Sequence, residues 1–124
     1  MQVRQALQAT GTDEVWEFGA GTGALALQLL DSLDGAVSRY NILDLSGSLR
    51  NRQADTLHKY AHKVRWLDAW PSVMEGVVLG NEVLDAMPVQ LLQRTRGVWH
   101  ERGVVAQDGG FAWADRSTEL RPPL

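Results

Sequence analysis

Hydrophobic and polar positions divide the chain into two stretches with different periods. Up to residue 87, short apolar runs alternate with segments whose apolar side chains recur at helical spacing. QVRQALQAT, residues 2–10, sets Val3, Leu7 and Thr10 on one face and predicts a short helix ended by Gly11. DEVWEFG, with Val15, Trp16 and Phe18, predicts a strand. TGALALQLLDSL predicts a helix burying Leu25, Leu29, Leu30 and Leu33, and SRYNILDLS a second strand. SLRNRQADTLHKYA predicts a helix with Leu49, Leu57 and Tyr60 inward, its RNRQ portion a polar outer face like that of RQALQ. KVRWLD and GVVLGN predict a third and a fourth strand, and EVLDAM a brief helical turn stopped by Pro88. From there the helical spacing is lost. VQLLQRTRGVWHERGVVAQDGGFAWADR alternates around Gly97 and the pair Gly109–Gly110, which predicts antiparallel strands.

Strands alternating with helices imply right-handed crossovers and a parallel sheet. The expected fold is therefore α/β and Rossmann-like. Residues 1–87 form an alternating nucleotide-binding half and residues 88–124 a β-meander, within one partial domain of 124 residues.

In such a sheet a ligand lies beyond the carboxyl ends of the strands, where the topology switches. EFGAGTGA stands there, with Gly19, Ala20, Gly21 and Gly23 between the first strand and a helix expected to begin near Thr22. Glycines let backbone approach a ligand, and the helix start offers free N–H groups. GAGTGA fits the dinucleotide fingerprint, and EFGAGTG fits the acidic-residue-plus-glycine loop of S-adenosyl-L-methionine (SAM) enzymes. Glu17 separates the two: a carboxylate repels a pyrophosphate and suits the sulfonium and amino cations of SAM. Asp44, with Leu45 beside it, ends the second strand, where a carboxylate can accept both ribose hydroxyls. Asp68 ends the third, placed towards the adenine amino group, with Ala69 and Trp70 offering apolar contact. A ligand-free turn, a helix cap and a surface acid are the plainer readings of these residues.

GNEVLDAMP follows the fourth strand. Glu82 and Asp85 are three apart, so a helical turn would point both carboxylates one way, beside Asn81. Two carboxylates hold a guanidinium well, orient its nitrogen for attack and take its proton. A solvated helix start explains the same residues more simply.

Composition narrows the classes further. A formal net charge of −3 argues against a general nucleic-acid binder. No apolar run approaches the ~20 residues of a membrane span. The absence of cysteine excludes a disulfide framework, a thiolate metal site and a thiol nucleophile. His58 and His62 have metal-pair spacing but no third ligand nearby, and read as a solvated face, so no metal is expected. Trp16, Trp66 and Trp99 read as core residues rather than base-stacking platforms.

Together, EFGAGTGALA, YNILDLSGSLRNRQADTL, VRWLDAWP, GNEVLDAMPV and WHERGVV resemble the MidA-like SAM-dependent methyltransferases, in family order over most of the chain. NEVLDAMPV is the most family-specific stretch. The resemblance implies a class I SAM-methyltransferase core, with the SAM loop on Glu17, Gly19, Gly21 and Gly23 and the ribose position on Asp44. Asn81, Glu82 and Asp85 fall on the signature, and Glu101 and Arg102 on a Glu-Arg pair. It also implies methylation of a protein arginine, the reaction by which the mitochondrial members serve respiratory complex I assembly. Family members run to several hundred residues, so an incomplete core is expected, one that binds SAM more readily than it turns over. Cytoplasm in a bacterium, or mitochondrial matrix in a eukaryote, is the expected location. A nicotinamide-dependent oxidoreductase fragment and a non-catalytic assembly module are the rival classes. An open sheet edge in the meander suggests a homodimer.

Overall fold

In a computed structural model, residues 2–33 and 35–123 are described. They fall into two compact units, Met1–Ala86 and Met87–Leu124. The first runs α1 (Gln2–Thr10), β1 (Glu14–Phe18), α2 (Ala24–Leu33), β2 (Arg39–Leu43), α3 (Gly47–Thr56), a 3-10 turn (His58–Tyr60), β3 (Val64–Leu67) and β4 (Val77–Gly80). Its four strands are all parallel, in the order β3-β2-β1-β4. The chain thus steps outward from β1 through β2 to β3 and then returns to the far side of β1. That reversal makes the gap between β1 and β4 the topological switch point. The expected α/β, Rossmann-like arrangement is the one observed.

Burial explains why these elements hold. On β2 the consecutive residues Tyr40, Asn41 and Ile42 are all buried, as befits a strand paired on both sides and covered on both faces. Helix α2 buries Ala26, Leu29, Leu30 and Leu33, an i, i+3, i+4, i+7 stripe. Leu25, expected inside, lies off this stripe and is exposed; Ala26 takes its place because it completes the helical spacing. Over α3 and the 3-10 turn after it, the expected inward residues Leu49 and Tyr60 are only half-buried, whereas Leu57 and the polar Gln53 are fully enclosed.

Three segments depart from simple alternation of strand and helix. Helix α2 begins at Ala24 rather than near Thr22, since the loop glycines are spent in a non-helical turn. EVLDAM forms no helix, only an Ala86 N–H bond to the Val83 carbonyl, because Glu82 sits in the left-handed region at φ 53°. Between β3 and β4 there is no helix either. The connection is held instead by the Trp16 indole N–H, which donates to the Glu75 carbonyl at 2.9 Å, and by Trp70, stacked on Phe18 with ring centroids 4.2 Å apart.

The second unit is a three-stranded antiparallel sheet, β5 (Leu91–Thr95), β6 (Val98–Gln107) and β7 (Gly110–Ser117), paired in sequence order as the meander pattern predicts. Arg102 grips Asp115 through two hydrogen bonds of 2.7 and 2.8 Å across the β6–β7 ladder. Among the described residues no helix is long and apolar enough to cross a membrane.

Gly76 enters β4 at φ 132°, and a Cβ there would collide with the Glu14 carbonyl oxygen. Gly76→Ala should therefore cost about 2–4 kcal/mol, from backbone strain and overpacking together. Thermal unfolding followed by circular dichroism should show Tm falling by roughly 10 °C or more. In the control Gly80→Ala, where a Cβ meets only Val83 at 3.8 Å, Tm should move little.

Candidate functional site

Because β1 to β4 are parallel, their carboxyl ends share one rim. The loop after β1 (residues 19–23), Asp44 after β2, Asp68 after β3 and Asn81 after β4 all occupy it. The expected site residues of this unit are therefore brought to one edge of the sheet by topology alone.

Gly19, Gly21 and Gly23 turn at φ 63°, 56° and 81°, which side chains of L-residues disfavour. The Gly23 N–H closes the turn onto the Ala20 carbonyl at 2.8 Å, and the Gly23 carbonyl accepts from Leu27 at 2.9 Å to start α2. Ala20 is buried beneath the turn. A Cβ on Gly21 would meet nothing within 4 Å, so the loop's outer side is open; one on Gly19 would press on Val83 at 3.1 Å. Through Gly19 the glycine loop thus meets the segment after β4.

Glu17 sits on β1 just below this loop, with 3% of its surface exposed. The Tyr40 hydroxyl donates to Glu17 Oε2 at 2.7 Å. Burial pushes the Glu17 carboxyl above its usual range, and the Tyr40 bond only partly offsets that. Burial and the neighbouring carboxylate raise Tyr40 in turn, so its hydroxyl stays protonated and keeps donating.

Asp44 is also buried, and each of its carboxylate oxygens accepts one bond: Oδ1 from the Ser46 N–H at 2.9 Å, Oδ2 from Gln53 Nε2 at 2.8 Å. A carboxylate has about four acceptor positions, so two remain for a ligand. Leu45 beside it is exposed, as are Asp68, Ala69 and Trp70. The Asp68 carboxylate is ion-paired to Arg50 at 2.6 Å, an exposed pair contributing about 1 kcal/mol at most. Arg50 Nε also donates to the Asp44 carbonyl at 2.7 Å and Nη2 to the Leu67 carbonyl, tying the ends of β2 and β3 together.

Asn81, Glu82 and Asp85 are exposed after β4. Glu82 and Asp85 line one shallow depression of about 310 Å³ with Gly80, Val83 and Leu84. What brings the two acids together is a left-handed residue and one turn, not the helical turn that their spacing predicts.

Gln53 is the residue that sequence reasoning missed. RNRQ reads as a solvated helix face, yet Gln53 is fully buried and Arg50 faces the strand ends. Its signal is positional: it stands four residues before the buried Leu57, on the inward stripe of α3.

Comparison with known proteins shows which family the chain belongs to. Residues 1–123 match a family model described as "Putative S-adenosyl-L-methionine-dependent methyltransferase". The chain belongs to this family. It is 52% identical to a protein from Burkholderia thailandensis solved bound to S-adenosyl-homocysteine, with a TM-score of 0.70 over 96% of this chain and 33% of that one. A native crystal structure of a Burkholderia thailandensis protein gives 53% identity and a TM-score of 0.69, over 94% and 33% of the two chains. The chain thus spans a third of the length of these relatives. The methyltransferase domain of bacterial-CtHen1-CN, 19% identical, shares the fold at a TM-score of 0.55 over 70% of this chain and half of that one. No curated protein matches the chain.

The residues of this chain fit the chemistry of that family's cofactor. The open outer side of Gly21 leaves room for it, and the acids at the rim suit its cations and hydroxyls.

Glu17 carries a testable cost. Its folded pKa lies above the ordinary 4.5, so the folded state binds the proton more tightly than the unfolded one. Stability from this group is highest at low pH and is lost as pH rises from 4.5 through the raised value. Glu17→Gln, which keeps an acceptor for Tyr40, should match wild type in Tm near pH 4 and exceed it near pH 8. Equal Tm values across that range would contradict the buried-charge account.

Proposed function

We propose that this chain carries the SAM site of a methyltransferase that acts on a protein arginine. The single observation carrying the cofactor part is the buried Glu17 beneath an open glycine loop, at the switch point between β1 and β4. The Burkholderia thailandensis relative, solved with S-adenosyl-homocysteine at 52% identity, supports the same reading. In it Glu17 answers the cofactor's cationic end, the loop glycines give its chain backbone contact, and Asp44 accepts the ribose hydroxyls. Leu45 and Ala69 flank the nucleoside and Asp68 stands at its adenine end. A pyrophosphate would face the Glu17 carboxylate, which disfavours a nicotinamide dinucleotide.

When bound, SAM supplies an electrophilic methyl carbon; this chain's part is to present the nucleophile. The acceptor part of the proposal rests on Glu82 and Asp85 lining one depression after β4, with Asn81 adjacent. Their carboxylates hold the guanidinium by charge-assisted hydrogen bonds, and one takes the proton that the attacking nitrogen releases. Bound SAM would supply the methyl group to that nitrogen, the electron pair of its C–S bond staying with sulfur.

Calorimetric titration tests the cofactor part directly. S-adenosyl-homocysteine should bind at micromolar Kd while NADH does not, and Glu17→Ala should weaken binding roughly tenfold or more. Binding of NADH, or of neither ligand, would overturn it. For the acceptor, radiolabelled methyl transfer to arginine peptides by a chain of the relatives' length should fall about a hundredfold in Glu82→Gln or Asp85→Asn. Unchanged transfer in both would remove these residues from the reaction.

A further inference from the structure

Gln53 lies on α3, away from every motif that marks the cofactor loop, and is 0% exposed. Its side-chain amide makes three bonds. Nε2 donates to the Gly21 carbonyl at 2.9 Å and to Asp44 Oδ2 at 2.8 Å, and Oε1 accepts from the Trp66 indole N–H at 3.0 Å. Both partners of the nitrogen are acceptors and the partner of the oxygen is a donor, so only one orientation of the amide satisfies all three. A buried amide with every hydrogen placed is rigid. Its partners come from the glycine loop, the end of β2 and β3, which lie 32, 9 and 13 residues away in sequence.

We propose that Gln53 is the positioning residue of the nucleoside site. It joins the glycine loop to the ribose-binding carboxylate, so that both are set before ligand arrives. This rests on the SAM reading above and adds a residue to it. The second hydrogen on Nε2 is the decisive feature. It occupies one position on Asp44 Oδ2 while the Ser46 N–H occupies one on Oδ1, so that one acceptor position on each oxygen is left for two adjacent hydroxyls. An apolar residue of similar length would fill the same space, leave Asp44 held only through the Ser46 N–H on Oδ1 and leave the Gly21 carbonyl without its Gln53 donor.

Packing alone and positioning differ in what they do to ligand discrimination. S-adenosyl-homocysteine and its 2′,3′-dideoxy analogue are titrated by calorimetry into wild type, Gln53→Met and Gln53→Glu. In wild type, loss of the hydroxyls should weaken binding roughly ten- to a hundredfold, the range for hydrogen bonds to a charged acceptor. In either variant the two ligands should bind within about twofold of each other, because Asp44 no longer meets the hydroxyls in register. Purely structural damage would weaken both ligands alike and preserve the wild-type ratio; that result overturns the proposal. Gln53→Glu retains an acceptor for Trp66 and the side chain's shape, so it serves if Gln53→Met fails to fold. Wild type gives a reading free of substitutions: the Trp66 indole N–H resonance in 15N NMR should shift on saturation with S-adenosyl-homocysteine and clearly less with the analogue. Equal shifts would also overturn it. Failure of wild type to bind S-adenosyl-homocysteine at all would instead sink the SAM reading, a separate outcome.

Discussion

A parallel sheet brings all its strand ends to one side, and there the backbone groups that continue no ladder must find partners. In this protein one helix supplies them. From α3, Arg50 bonds the carbonyls of Asp44 and Leu67, and Gln53 bonds the Gly21 carbonyl, Asp44 and Trp66. The glycine loop, the ends of β2 and β3 and the candidate ribose acid thus share one hydrogen-bonded frame. Remove that frame and the rim keeps its residues but loses their mutual geometry, on which a nucleoside site depends.

The same rim holds an unfavourable element. Glu17 is buried with a raised pKa and one donor, Tyr40, so ionising it costs the fold stability. Glu82, itself one of the two candidate acceptor acids, sits in the left-handed region and adds backbone strain after β4. Glu17 lies on β1 and Glu82 just after β4, the two strands that flank the switch point.

Much of this was legible in the chain itself. The change of period near residue 87 separates the parallel sheet from the meander, and the strand-end positions of Gly19, Asp44, Asp68 and Asn81 follow from the alternation. What stayed hidden depends on distant partners. Gln53 looks solvated because nothing within one helical turn shows that Gly21, Asp44 and Trp66 will surround it. Leu25 is the bulkier apolar residue, yet the helical stripe through Leu29, Leu30 and Leu33 runs through Ala26 instead. EVLDAM has helical composition, yet the left-handed Glu82 breaks it, a local geometry that residue spacing does not encode. The link between Gly19 and Val83 is likewise a contact across the switch point, invisible in either segment alone.

The most direct measurement is a crystal structure of this chain grown with S-adenosyl-homocysteine. The account predicts the ligand across the carboxyl ends of β1 and β2, with both ribose hydroxyls within hydrogen-bonding distance of Asp44 and Gln53 still bridging Asp44 to Gly21. A ligand seated elsewhere on the chain, or one at this rim whose hydroxyls avoid a displaced Asp44, would contradict it.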